Sequence, residues 1–445
     1  MRRSLPALAV AAFLLSGCDL PALQPAERSA AASQAKSVED PEDPEPRVAA
    51  AGHRIAVPAR LPAPDAQGQA PTTVAQAGVA AATEPRVTGG NQPARQVPDV
   101  PFASTEVARF DQPWAMTFLP DGRLLVTEKG GKLKLANVAS RQVGEITGVP
   151  NVAYGGQGGL GDVVLHPQFA SNRLVYLSYA EAGSSGTRGA VVARAQLQLA
   201  ASGNGGSLTN LQVLWRQAPK VSGDGHYSHR IAFDAAGRLW ISSGDRQKLE
   251  PAQDLQSNLG KILRLNDDGS VPADNPFAAQ GGEAAKVWSY GHRNVLGLAF
   301  DAQGRLWEHE MGPAGGDELN RVERGSNYGW PRVSNGNHYD GANIPDHAPG
   351  DGYNAPEVSW TQTIAPSGFV IYSGDMFPFF RGHGFIGGLA SQALIRVEFS
   401  GNDAREAQRY PMGQRIREVE QGPDGAIWLL EDGSNARLLK LTRNF

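Results

Sequence analysis

From Pro101 onward, short apolar and β-prone runs alternate with polar turns, and four of those turns share one pattern. Pro120-Asp121-Gly122 precedes Arg123-Leu124-Leu125-Val126, and Asp234-Ala235-Ala236-Gly237 precedes Arg238-Leu239-Trp240. Asp301-Ala302-Gln303-Gly304 precedes Arg305-Leu306-Trp307, and Pro423-Asp424-Gly425 precedes Ala426-Ile427-Trp428. An Asp/Gly turn between an apolar run and a β-prone run is a hairpin signature. Four degenerate copies predict a repeat architecture. Four-stranded blades recur at roughly 40 to 50 residues, so the stretch 101–445 accommodates six of them. Helical periodicity is nearly absent, and many of the 53 Gly and 31 Pro fall between short strands. The predicted fold is therefore all-β, a six-bladed β-propeller. The Asp/Gly turns build its scaffold, and its axial mouth gathers loops from every blade.

Composition divides the chain before that point. All Trp and Tyr, and every Phe except Phe13, follow Pro101, so the core lies there. Met1-Arg2-Arg3 and the apolar run from Leu5 to Leu15 form an export signal too short to span a bilayer. Leu15-Ser16-Gly17-Cys18 resembles a bacterial lipobox, which makes residues 1–18 a lipoprotein signal and Cys18 a lipid anchor at the periplasmic face of a membrane. Cys18 is the one cysteine, so no disulfide contributes to stability. Residues 19–100 are rich in Ala, Pro, Gln and Glu without an aromatic residue, a composition too poor in apolar surface to fold, and read as a disordered linker. A formal charge of −4, from 41 basic and 45 acidic side chains, leaves no electrostatic footprint for nucleic acid.

The candidate chemistry is concentrated in Tyr290-Gly291-His292-Arg293-Asn294, Trp307-Glu308-His309-Glu310-Met311-Gly312-Pro313, Gly316-Asp317-Glu318 and Asn327-Tyr328-Gly329-Trp330-Pro331. A guanidinium, an amide, carboxylates and a Gly-Pro turn place anion recognition beside hard-cation coordination, which suggests an anionic cofactor held through a metal. Gly223-Asp224-Gly225-His226-Tyr227-Ser228-His229-Arg230, Gly155-Gly156-Gln157-Gly158-Gly159 and Gly413-Gln414-Arg415-Ile416-Arg417 complete the set. Arg415 and Arg417 alternate along a predicted strand, so both point to one face.

Taken together and in this order, these motifs resemble the soluble aldose sugar dehydrogenases that use pyrroloquinoline quinone (PQQ) and calcium, relatives of soluble quinoprotein glucose dehydrogenase, over residues 101 to 445. The resemblance implies the same propeller. It implies His226 as the general base, although His229 stands where a small residue is expected. Neutral imidazole suits removal of a hydroxyl proton as the C–H bond breaks. It further implies that Gln157, Arg293, Asn294, Tyr339, Arg415 and Arg417 contact PQQ. The calcium at PQQ maps onto the carbonyls of Gly312 and Pro313, and a second, structural calcium onto Glu318 and the carbonyl of Tyr328. At Ala390 some relatives carry a Lys, and no Lys is near it in sequence. The scatter of His292, His309, His338 and His347 lacks a zinc spacing. The implied reaction is oxidation of an aldose at C1 to an aldonolactone, with an external electron acceptor. The alternatives are a calcium-dependent lactonase on the same fold and a non-catalytic propeller that binds glycans or protein.

Overall fold

The computed structural model describes residues 100–444. The expected signal at 1–18, with Cys18, and the linker up to residue 99 lie outside the described residues.

Four sheets hold four strands each, and a fifth holds eight. The eight divide into two fours, residues 113–147 and 160–216, joined at their edges by the short parallel pairing of Ile146 with Gly206 and Thr147 with Ser207. Six blades result, as the hairpin repeat predicts. Their first strands are Pro113–Phe118, Leu160–Leu165, Ser228–Phe233, Val295–Phe300, Pro366–Ile371 and Ile416–Gln421. Each touches the next in that order, and the last returns to the first, which closes the ring. The last blade is completed by Phe102–Phe110, antiparallel to Ala436–Arg443 with Phe102 opposite Arg443.

Each recurring Asp/Gly turn joins the first and second strands of a blade. Gly122, Gly237, Gly304 and Gly425 have φ of 83, 78, 77 and 78°, where glycine avoids the Cβ clash. Asp301 shows why the Asp recurs with the later Trp. Its Oδ1 accepts the backbone N–H groups of Gln303 and Arg305, both at 2.9 Å, and its Oδ2 accepts the Trp307 indole N–H at 2.9 Å. Asp234 does the same for Ala236, Arg238 and Trp240. The gripped Trp side chains belong to apolar clusters that fill the spaces between neighbouring blades. Trp240 packs with Val295 and Leu306, and Trp307 with Ile386 and Ile395. The core is thus distributed around the ring.

All six first strands shift register near their starts, for example between Leu160 and Val163, Ser228 and Ile231, and Ile416 and Glu418. Such bulges re-aim side chains. Here they sit at the end of the ring where the candidate residues gather.

Candidate active site

The beginnings of the first strands and the loops after the second strands enclose a cavity of about 820 Å³. The former supply Trp114, Gln157, Ser228, His229, Asn294, Arg415 and Arg417; the latter supply Lys129, Met311, Gly312, Pro313 and Ala390. Tyr339 and Arg409 also line it.

The cavity wall runs through Gln157, Tyr227, Ser228 and His229; His226 does not line it but lies buried behind it, bonded through its backbone to Gln157. His226, Ser228 and His229 have φ of 48, 56 and 54°. That left-handed conformation costs L residues roughly 1–2 kcal/mol each, and such strain gathers at functional sites. A Cβ on Gly244 would lie 2.0 Å from the His226 carbonyl oxygen, so the loop after the second strand must be glycine there. The His226 backbone N–H donates to Gln157 Oε1 at 2.6 Å. Its Nδ1 lies 2.7 Å from Asp245 Oδ1, and Asp245 Oδ2 accepts the Trp330 indole N–H at 2.8 Å. Burial works to raise the Asp245 carboxyl, but His226, Arg293 and Trp330 outweigh it and hold the group below its ordinary value. His226 Nε2 is buried with no hydrogen-bond partner among the described residues. A ring anchored at one nitrogen by a carboxylate, with the other nitrogen unengaged, is the arrangement of a general base.

His229 has a different environment. Its Nδ1 lies 2.6 Å from Ser178 Oγ, and its ring stacks on Trp114 with centroids 4.9 Å apart. Burial first, then Arg230 and Arg246, push it down to about 3, so it is a neutral wall residue and a poor proton acceptor. Arg230, the Arg of the His-x-x-x-Arg segment, lies 4.1 Å from the Trp114 ring, pairs with buried Glu418 and donates to the Leu296 carbonyl at 2.7 Å. It ties blades together.

Arg293 donates to the Met311 carbonyl at 3.0 Å and to the Tyr339 hydroxyl at 3.2 Å. The Asn294 amide oxygen accepts the Ser228 hydroxyl at 3.1 Å, and its backbone N–H donates to Glu310 Oε2 at 3.1 Å. Arg415 and Arg417 do converge, by a route the alternation did not anticipate. The strand begins only at Ile416 and is bulged, and both Nε atoms meet Asp432, at 2.9 Å each. Both guanidiniums at the wall thus share one carboxylate. Gly312 and Pro313 line both this cavity and a second one of about 10 Å³ that also meets Glu310, Glu318 and Tyr328. That volume has room for about one water or ion. Asp317 pins the turn by accepting the Gly312 N–H at 2.9 Å and the Ile364 N–H at 2.7 Å.

The sequence reading missed Asp245, Lys129, Arg409 and Trp114. Asp245 and Lys129 follow the second-strand runs Leu239–Ser243 and Leu124–Glu128, so the loop after each Asp/Gly hairpin was the signal that could have found them. Ala390 does line the cavity, and Lys129 supplies a cation to the same wall from another blade.

Residues 110–440 match the family model for glucose/sorbosone dehydrogenases. An aldose sugar dehydrogenase of Escherichia coli is 40% identical over 341 residues, which cover 75% of this chain and 91% of the relative. The crystal structure of a soluble aldose sugar dehydrogenase from Escherichia coli in its apo form superposes with a TM-score of 0.73 at 38% identity, covering 77% of this chain and all of that one. The PQQ-bound form of an aldose sugar dehydrogenase from Streptomyces coelicolor superposes with a TM-score of 0.64 at 28% identity, covering 77% of this chain and 98% of that one.

Proposed function

The chain belongs to the glucose/sorbosone dehydrogenase family and is an oxidoreductase, and from that premise we propose that it oxidises aldose sugars at C1 to aldonolactones with PQQ and calcium. The observation that carries the reading is the His226–Asp245 pair, whose Nε2 is unengaged, set directly behind Gln157, Tyr227 and Ser228 of a cavity lined by cations and amides.

The donor set fits the cofactor. Lys129, Arg409, Arg415 and Arg417 suit a tricarboxylate, and planar guanidiniums grip carboxylates with paired bonds. Arg293 and Asn294 would hold its oxygens, with the Arg293 guanidinium steadied by its bond to the Tyr339 hydroxyl. The Gly312 and Pro313 carbonyls suit the calcium at the cofactor, and Glu318 with the Tyr328 carbonyl a second, structural one. When bound, PQQ supplies the hydride acceptor, and calcium the Lewis acid that polarises it.

The protein's own residues do the rest. His226 takes the anomeric hydroxyl proton at Nε2 while Asp245 holds Nδ1–H and stabilises the imidazolium that forms. Gln157, with its oxygen committed to the His226 backbone, presents its amide nitrogen to the sugar. Trp114 and His229, stacked ring on ring, form a flat face of the cavity wall. Export with lipidation at Cys18, and delivery of electrons to an external acceptor at the periplasmic face, complete the proposal.

The test is dye reduction by a panel of aldoses after reconstitution with PQQ and calcium. Activity must require both, and chelation must abolish it. Lactone hydrolysis by protein without quinone would replace this reading with the hydrolase.

A further inference from the structure

Behind the main cavity, the fourth blade carries a buried cluster to which the proposed reaction assigns no step, with only Glu310 reaching the small second cavity. Glu308 and Glu310 alternate on the strand Leu306–Glu310 and therefore share a face, and the loop before Val295–Phe300 lays His292 against them. One ligand atom from each of the three lies within 4.8 Å of the others. His292 Nδ1 is 3.2 Å from Glu310 Oε1 and 3.5 Å from Glu308 Oε1. All three residues are buried, His292 and Glu308 completely.

We propose that His292, Glu308 and Glu310 form a site for a first-row divalent transition metal, with Zn2+ or Mn2+ as the chemical class. Two carboxylates converge on one imidazole nitrogen in the interior, where unpaired charge is costly. A proton on Nδ1 is the competing occupant. It brings one positive charge to two carboxylates, whereas a divalent ion brings two and takes the nitrogen and an oxygen from each. The independent observation is Glu308 Oε2, which is buried and has no hydrogen-bond partner among the described residues. The surroundings are those of a ligating histidine, whose second nitrogen normally has its own partner. His292 Nε2 lies 2.8 Å from Ser289 Oγ, and the Tyr328 ring stacks on the imidazole at 4.6 Å.

An imidazole donor separates this site from the all-oxygen calcium positions at Gly312, Pro313, Glu318 and Tyr328, because nitrogen ligands favour transition metals over calcium. Asn320 stands between, donating to Glu308 at 2.8 Å and to Glu318 at 3.3 Å. No local motif announces the site, since residues 292, 308 and 310 meet only through strand pairing. The ion would also brace the cofactor pair, because Glu310 Oε2 accepts the backbone N–H groups of both Arg293 and Asn294.

The experiment uses the full chain without PQQ. The protein is stripped with chelator, saturated with calcium, titrated with Zn2+ or Mn2+, and analysed for bound metal by mass spectrometry. One transition-metal ion per chain is expected to remain beside calcium, with at least a tenfold loss of affinity in Glu308→Gln. X-ray absorption of the zinc-loaded wild type should show one imidazole nitrogen and carboxylate oxygens, a readout that stands if the variant does not fold. No metal retained beyond calcium, equal retention by Glu308→Gln, or a zinc shell without nitrogen overturns the proposal.

Discussion

Replacing Asp245 by Asn tests the base assignment where it is most exposed. Asp245 touches no substrate; it acts through His226, whose Nδ1 lies 2.7 Å from Oδ1. Asn keeps the shape and can keep the Trp330 bond, but it removes the charge that favours Nδ1–H and the imidazolium. A hydrogen bond to a charged group contributes about 1.5–3 kcal/mol, which is roughly 10- to 150-fold in rate. Loss of the base itself in His226→Ala should cost about 10²–10⁴-fold. The double variant should be no slower than His226→Ala alone, since the carboxylate has nothing left to position. The assay is kcat and KM for an aldose after PQQ and calcium reconstitution, with PQQ affinity measured separately by titration. The fall should lie in kcat, the acidic limb of the pH profile should move, and PQQ affinity should hold. Wild-type turnover in Asp245→Asn, or a loss carried by His229→Ala in place of His226→Ala, would mean that the His226–Asp245 pair is not the base.

Three further outcomes are expected. His229 has its folded pKa pushed from 6.5 down to about 3. Its contribution is therefore complete above about 6.5 and is lost as pH falls toward 3, at up to about 1.4 kcal/mol per pH unit. Urea unfolding of His229→Gln between pH 7 and pH 5 should show a shallower decline than wild type, and an equal slope would discard the claim. Ala390→Lys adds a cation to the wall of the proposed PQQ site and should tighten PQQ by roughly 10- to 150-fold, at about 1.5–3 kcal/mol per charge-assisted contact. Equal or weaker binding in a titration at fixed calcium would show that the position has another role. A chain beginning at Val100 should be soluble and fully active, because Phe102–Phe110 already closes the last blade, and mass spectrometry of the membrane form should find Cys18 lipidated. An inactive truncation would give the preceding segment a part in catalysis.

Local chemistry made the scaffold legible. An Asp/Gly hairpin is written in a few adjacent residues, and four copies sufficed to predict blades whose turns are indeed built on Asp234 and Asp301. Contiguous motifs led to residues that do line the cavities, Asn294 with Gly312-Pro313 in the main one and Arg293 in the smaller. The site was hidden where ring closure brings distant residues together. Asp245 meets His226, and Lys129 joins Arg415, only because loops from different strands and blades share one mouth. The roles of the two histidines in His226-Tyr227-Ser228-His229 also needed the structure. Both are buried, and what separates them is the carboxylate behind one and the hydroxyl and indole around the other.

The most direct test of the central claim is the anaerobic spectrum of protein loaded with PQQ and calcium on mixing with an aldose and with the same sugar deuterated at C1. The quinone should be reduced in one turnover with one equivalent of lactone, more slowly with the deuterated sugar, and far more slowly in His226→Ala. A quinone that stays oxidised while sugar is present, or a reduction insensitive to both the isotope and His226, would contradict that claim.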